Sequence, residues 1–540
     1  MSAAQSTNVL LVYPRFATGA FWNFQAACEL FGAKYPTAPL GLITIAAMLP
    51  PSWTIRLIDR NTEDLKDADL DWADLVMTGG MIPQHLDAVE IIEMCRARGK
   101  PIAIGGPGVT SVPYAFTSAN FQIRGEAEAV IDDFVAAWEA GAREGIFEAP
   151  KFTIDVTKTP IPRFDLLKFD DYLYVGVQFS RGCPFTCEFC DIIELYGRVP
   201  RTKTTPQMLA ELDRLYELGY RGHVDFVDDN LIGNKKAVKA FLPDLRKWLE
   251  QHDYPFEFTT EASINLADDP ELLRLMNEAN FVGVFVGIES PDPETLRQMK
   301  KKQNTRRSIP ESIHKIYEAG MFVTAGFIVG FDNEKLSIAD AMVELIEDSA
   351  IPVAMVGLLY ALPNTQLTRR LMQEGRLHPV PNAAPKEDQC THGLNFDTRR
   401  PRRDILQDYR DILEKVYDPV AYAGRLNRLI DMLNNTGRTH QMKGSDSRRR
   451  GGAGNMELVQ RLVAKLPEPK RIFWEAFTRC VATNPKSVRY IVLLLAFYMH
   501  LGPFSRYVMD RIDQMIAELP EDAPGPHMIA HEAEQPALVN

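Results

Sequence analysis

The chain has 540 residues, 46% of them hydrophobic and 24% charged, and a net charge of −12. That length exceeds one core and predicts about three domains of a globular protein. The acidic balance argues against a nucleic-acid-binding surface, which needs clustered positive charge. No run of about 18 apolar residues stands out as a transmembrane segment. Met1–Pro14 has neither the charged region nor the cleavage site of a secretory signal, so a cytoplasmic protein is expected.

Residues 8–13 read as a buried strand and 40–48 as a helix. Further strands are expected at 54–59, 73–79 and 100–106, with helices at 84–98 and 126–141. Strands alternating with helices predict an α/β, doubly wound (Rossmann-like) domain over residues 1–145. Its ligand would sit outside the carboxyl ends of the strands, at Tyr13-Pro14-Arg15, Asp59-Arg60-Asn61, Thr78-Gly79-Gly80 and Gly105-Gly106-Pro107-Gly108. Residues 146–170, with Pro160 and Pro162, read as a linker.

A second series follows over 171–395, with strands at 172–180, 223–229, 256–262, 281–289, 322–330 and 352–360. Helical stretches at 206–218, 234–251, 268–279, 307–319 and 337–349 separate them. Six strand–helix units predict a partial (β/α)6 barrel, open on one side, with its chemistry at the carboxyl ends of the strands. Residues 396–520 read as a mainly helical domain, with helices at 403–417, 456–465, 471–483 and 487–501. The polar stretch 444–454 reads as a mobile loop and 521–540 as a disordered tail.

The seven cysteines are Cys28, Cys95, Cys183, Cys187, Cys190, Cys390 and Cys480, and an odd count in a long chain argues against a disulfide framework. Three of them fall in SRGCPFTCEFC, Ser180–Cys190, on the loop after the first barrel strand. Such a loop can wrap three thiolates around one face of an iron–sulfur cubane and leave one iron without a protein ligand. A structural zinc site would want a fourth ligand nearby, and the nearest histidine, His223, belongs to another strand. Cys390, in DQCTHGLNF, reads as an ordinary core thiol.

This cysteine spacing, with the aromatic Phe189 before the last, resembles the signature of the radical S-adenosylmethionine (radical SAM) superfamily. The resemblance implies a [4Fe–4S] cluster on Cys183, Cys187 and Cys190 that chelates S-adenosyl-L-methionine and cleaves it to a 5′-deoxyadenosyl radical. It also implies that Asp228, Glu261, Ser263, Gly287 and Glu289, at strand ends, line the S-adenosylmethionine site. Gly326 and Gly330 in GFIVG would lie on the adenine-contacting strand. Asp228 has a plainer reading as a cap for the following helix.

The first domain is similar to that of the cobalamin-binding members. The similarity rests on Leu40, Gly41, Asp59, Asn61, Thr78, Gly79, Gly105, Gly106, Pro107 and Glu126, taken in that order before a barrel. The loop after the first strand, YPRFATGAFW, contains no histidine, so cobalamin would be held without a protein imidazole; His85 reads as a surface or helix-start residue. The implied activity is methyl transfer to an unactivated carbon, through the deoxyadenosyl radical and methylcobalamin. The helical C-terminal part resembles the subgroup of hopanoid and bacteriochlorophyll methylases. That implies a small-molecule substrate of hydrophobic polycyclic lipid or tetrapyrrole type, and an external electron donor of flavodoxin or ferredoxin type. Alternatives are ring rearrangement or oxidative cyclisation with the same cofactors, or a non-catalytic cobalamin-binding sensor or carrier. A methylthiotransferase would want a cysteine trio in the first domain, where only Cys28 and Cys95 stand.

Overall fold

The computed structural model describes residues 6–17, 19–379, 390–391, 393–434, 455–466 and 470–520. Its first strands in chain order are β1 (Asn8–Tyr13), β2 (Tyr35–Thr37), β3 (Thr54–Asp59), β4 (Leu75–Gly79), β5 (Ile102–Gly105), β6 (Phe121–Arg124) and β7 (Gly145–Glu148). There follow β8 (Tyr172–Val177), β9 (Ser180–Arg181), β10 (Arg201–Thr202), β11 (Gly222–Phe226), β12 (Phe256–Glu261), β13 (Phe281–Glu289), β14 (Phe322–Val329) and β15 (Val353–Leu358).

The first sheet runs β3-β1-β4-β5-β6-β7, with all pairs parallel. β1 is apolar throughout because both its faces are covered. Val9 and Leu11 pack with Met77, Phe121 and Phe134 on one side. Leu10 and Val12 pack with Val76 and Ile91 on the other. The chain passes from β1 outward to β3 and then crosses back to β4. The order therefore reverses between β1 and β4, where loops diverge and a ligand crevice opens.

The second sheet runs β15-β14-β13-β12-β11-β8-β2, a parallel partial barrel. The six predicted barrel strands are present in the predicted order. The seventh, β2, comes from the stretch between β1 and β3 and pairs with β8 through Tyr35↔Tyr172 and Thr37↔Tyr174. β7 pairs with β6, so the stretch read as a linker begins inside the first sheet. β6 (Phe121–Arg124) was not expected either; these three additions are short, and β2 contains Pro36, which a sheet tolerates at an edge.

The C-terminal part is helical: Arg402–Val416, Pro419–Met432, Asn455–Lys465, Lys470–Thr483 and Val488–Glu518. The last helix corrects the sequence reading, which ended it at 501. It runs straight through Gly502 and Pro503 for 31 residues. Among the described residues, the segment Pro485–Glu518 is one helix long and apolar enough to cross a membrane, contrary to expectation. In the fold, however, 67% of its apolar window is buried. Leu494, Leu495, Tyr498 and Leu501 join the barrel's own core. Tyr490 meets Phe322 of β14 at 6.0 Å, and Phe497 stacks on Phe24 at 4.4 Å. The stretch 444–454 and the tail 521–540 lie outside the described residues.

Candidate active site

The cysteine loop is framed by a short antiparallel ribbon, in which Arg181 of β9 pairs with Arg201 of β10. Gly182 turns the chain into the loop at φ +96°; a Cβ there would lie 3.0–3.2 Å from the carbonyl oxygens of Gly197, Val199 and Tyr196. Only glycine fits such a place. Cys183 N–H donates to the Gly197 carbonyl at 3.2 Å. From the end of β11, Asp228 accepts the N–H of Phe179 at 2.9 Å and both the N–H and hydroxyl of Ser180 at 2.5 Å. Asp229 accepts the Gly182 N–H at 2.7 Å. Burial pushes Asp228 up to about 7 and Asp229 up to about 6, with these hydrogen bonds pulling the other way. Asp228, expected to touch a ligand or cap a helix, instead spends its carboxylate on bracing the loop.

Cys187 is buried, and Cys183 and Cys190 are half-buried. Burial raises all three thiols above the ordinary thiol range. Two of the thiols have polar side chains beside them. Asn230 Nδ2 lies 3.9 Å from Cys183 Sγ and 3.1 Å from Ser263 Oγ. Gln303 Nε2 lies 3.9 Å from Cys187 Sγ. Lys301 is buried beside Cys187, and its Nζ bonds Glu289 Oε1 at 2.5 Å. Burial works against the Lys301 charge, but Glu289 and Cys187 outweigh it and hold the amine well above its ordinary value. Glu289 sits in the left-handed region at φ +70°, where the β13–β14 register slips. A Cβ on Gly287 would strike the Glu289–Lys301 pair.

Phe189 packs edge-on against Phe331 at 6.0 Å, with Lys301 Nζ 5.9 Å from its ring centre. Gly326 leaves room for the Phe285 ring, 3.1 Å from where a Cβ would be. Gly330 donates its N–H to the buried Glu334 carboxylate at 2.9 and 3.0 Å. Among the described residues, three buried acceptors around this mouth have no hydrogen-bond partner: Glu261 Oε2, Gln303 Oε1 and Asn304 Oδ1. Sequence reading missed Lys301, Gln303 and Asn304. Lys300-Lys301-Lys302-Gln303 looks like a solvated charged run, and only the fold shows that part of it is buried.

On the first sheet, Gly79 admits the Gly105 carbonyl oxygen to 2.9 Å from a would-be Cβ, and Gly106, at φ +89°, backs onto Gly80. Pro107 opens the turn Pro107–Ser111. These glycines let the ends of β4 and β5 pack backbone against backbone. Leu40 opens the helix Leu40–Ala46 beside Gly176 of β8, and Gly41 has open space next to it. Thr78 donates its hydroxyl to the Val12 carbonyl. Asp59, pushed by burial up to about 6, accepts from Asn61 and from the Tyr172 hydroxyl at 2.9 Å. His85 does begin a helix, but it is buried against Phe116 at 4.8 Å rather than on the surface. Glu126 has both oxygens occupied, by Arg181 at 3.2 Å and Arg201 at 2.9 Å. Cys390 is buried, as expected of a core thiol.

These residues fit the implied groups. Among the described residues, no three His, Cys, Asp or Glu side chains converge as they would on a single metal ion. Cys183, Cys187 and Cys190 lie on one loop and supply the three thiolates that a cubane with one open iron takes. The unpartnered acceptors offer bonds to the hydroxyl and amino groups of S-adenosylmethionine. The ends of β4 and β5 lie beside the switch point of the first sheet, where such sheets bind ligands.

A family model described as the radical SAM superfamily matches residues 177–346, and one described as a domain of unknown function (DUF4070) matches residues 365–514. An uncharacterized methyltransferase of Synechocystis sp., sll1242, is 49% identical over 418 residues, covering 77% of each chain. The hopanoid C-2 methylase of Rhodopseudomonas palustris is 37% identical over 439 residues, covering 79% of this chain and 80% of that one. The chain belongs to the radical SAM superfamily. It is an enzyme that works with a [4Fe–4S] cluster and S-adenosylmethionine, and it falls among the superfamily's methyltransferases. The fold of this radical SAM enzyme extends beyond the barrel. The methyltransferase TsrM of Kitasatospora setae, solved with cobalamin and a [4Fe–4S] cluster bound, superposes with a TM-score of 0.60 at 15% identity, over 86% of this chain and 100% of that one.

Proposed function

We propose that this radical SAM enzyme is a cobalamin-dependent C-methyltransferase whose substrate is a large, apolar polycyclic molecule. The observation that carries the reading is that the carboxyl-end loops of the two sheets meet. Glu126, after β6, grips the ribbon that frames the cysteines. Asn364, after β15, donates to the Ser111 carbonyl of the turn after β5. Leu40 lies against β8. When bound, the cluster and S-adenosylmethionine supply a hydrogen-abstracting radical, and cobalamin supplies the methyl group.

The chain's own part is to hold these groups within reach of one carbon and to exclude water. Cys183, Cys187 and Cys190 hold the cluster. Lys301, paired with Glu289, places a positive charge beside Cys187. Glu261, Ser263, Asn230 and Gln303 orient S-adenosylmethionine. Trp22 meets Phe285 at 5.6 Å, and Phe285 adjoins Gly326 on the adenine-contacting strand. Trp22 is 42% exposed, which leaves part of its ring open to a ligand. These rings form the apolar wall that a polycyclic substrate would face. The relatedness to a hopanoid methylase supports that class. The electron comes from a flavodoxin- or ferredoxin-type donor.

The test is anaerobic. Purified protein is reconstituted with iron and sulfide, supplied with cobalamin and dithionite, and assayed for 5′-deoxyadenosine from S-adenosylmethionine. Wild type should form it, with hopanoids or tetrapyrroles as triggers, and Cys187→Ala should form none. A fully reconstituted wild type that stays inactive with both substrate classes contradicts the proposal.

A further inference from the structure

We propose that Glu126 is a positioning residue: it locks the ligand crevice of the first sheet against the cysteine loop, so that the two cofactors keep a fixed separation. The inference rests on the reading that Cys183–Cys190 hold the cluster and that the first sheet holds cobalamin.

Glu126 comes from the first sheet and Arg181 and Arg201 from the barrel, yet the three form one buried cluster. The Glu126 side chain is 3% exposed, that of Arg181 13% and that of Arg201 16%. The two arginines occupy paired positions of one ribbon. Their like charges would repel without an anion between them, and one Glu126 oxygen meets each guanidinium. Glu128 completes the balance by bonding Arg181 Nη2 at 2.7 Å, giving two cations and two anions. Most of the remaining donors also have targets, Arg201 Nε being without a partner among the described residues. Arg181 Nε donates to Gln178 Oε1 at 2.8 Å, and Arg201 donates to the carbonyls of Ile154 and Tyr196 at 3.1 and 2.9 Å. Charge-assisted bonds in a desolvated place hold geometry tightly.

Both ends of this cluster lead to a cofactor site. Arg181 precedes Gly182 and stands two residues from Cys183, on the ribbon that Asp228 and Asp229 tie to the barrel from the other side. Glu126 follows Gly125, whose N–H donates to Thr110 Oγ1 at 2.9 Å. Thr110 donates in turn to the Gly106 carbonyl at 2.8 Å, at the end of β5 beside the crevice. Transfer between two bound groups is sensitive to displacements of about 1 Å, so a rigid connection across this joint has catalytic value.

The experiment uses the full chain with Glu126→Ala and the milder Glu126→Gln. Hydrogen–deuterium exchange on the protein without cofactors should show residues 107–130 and 179–203 exchanging together about tenfold faster in Glu126→Ala, with a smaller effect in Glu126→Gln and strands β12–β14 unchanged. Pulsed dipolar spectroscopy between the reduced cluster and cob(II)alamin should give a narrow distance distribution in wild type and a broad one in Glu126→Ala. Loosening of only one of the two segments, or of β12–β14 as well, overturns the proposal, as does an unchanged distance distribution. A wild type that takes up neither cluster nor cobalamin refutes the underlying reading instead, and the exchange data still decide whether Glu126 joins the two loops.

Discussion

Lys301 shows how a single residue acquires its meaning from the fold. In sequence it is the middle of three lysines; in space it is buried between Glu289 and Cys187. A buried positive charge beside cluster thiolates stabilises the added electron, because net charge and hydrogen bonding set cluster potentials. Lys301→Met should therefore move the cluster midpoint potential negative by on the order of tens of mV, read by a redox titration of its spectrum. An unchanged potential would remove Lys301 from the electrostatics of the site. Glu334 contributes to the pH dependence, as do Asp59, Asp228 and Asp229, which burial also raises. Burial pushes the Glu334 carboxyl from the ordinary 4.5 up to about 7, against the Gly330 and Phe331 N–H groups and Arg400. Between those values the native state keeps a proton that the unfolded chain has released, so stability falls as pH rises through the window. The loss is on the order of 3 kcal/mol. Glu334→Gln should reduce the slope of melting temperature against pH between about 4.5 and 7, leaving the part due to the other raised carboxyls; an unaltered slope would count against it.

At the scale of elements, legibility followed length and periodicity. β13 and β14 were plain in the sequence because nine and eight apolar-rich residues in a row admit few alternatives. β2 was hidden, because Tyr35-Pro36-Thr37 is too short to show a period and its partner β8 lies more than a hundred residues away. The final helix was cut short because Gly502-Pro503 reads as a stop, whereas packing of Phe504, Val508 and Ile512 carries it onward. The cysteine motif was legible residue by residue, but its supports were not. Asp228, Asp229 and Gly182 act through backbone contacts that no spacing rule reveals. Gly182→Ala forces a left-handed conformation and a clash with three carbonyls, at a cost of about 1–3 kcal/mol confined to the loop. It should lose iron on reconstitution while keeping the wild-type circular dichroism spectrum. Full iron content would show that the loop tolerates another turn.

At the scale of the whole molecule, the barrel does not stand alone. β2 extends its sheet from the N-terminal side, and the helix Val488–Glu518 packs against both the barrel and the segment around Phe21–Phe31. Because Leu495 is fully buried in that packing, Leu495→Ala should cost about 2–5 kcal/mol. Denaturant unfolding without any lipid would detect it; a neutral effect would mean that the helix is not part of the core. The division into two α/β parts and a helical part was visible in the sequence, since strand–helix alternation gives way to helices near residue 400. How the parts meet was not, because contacts such as Glu126–Arg201 join residues far apart in the chain. The most direct test of the account follows the methyl group. Reconstituted enzyme with bound cobalamin is given S-adenosylmethionine carrying a trideuterated methyl, a low-potential reductant and a hopanoid or tetrapyrrole acceptor. The expected product bears the intact labelled methyl in place of one hydrogen, with 5′-deoxyadenosine formed alongside in equal amount. A cyclised or rearranged product without the label, or labelled product formed with no 5′-deoxyadenosine, would contradict it.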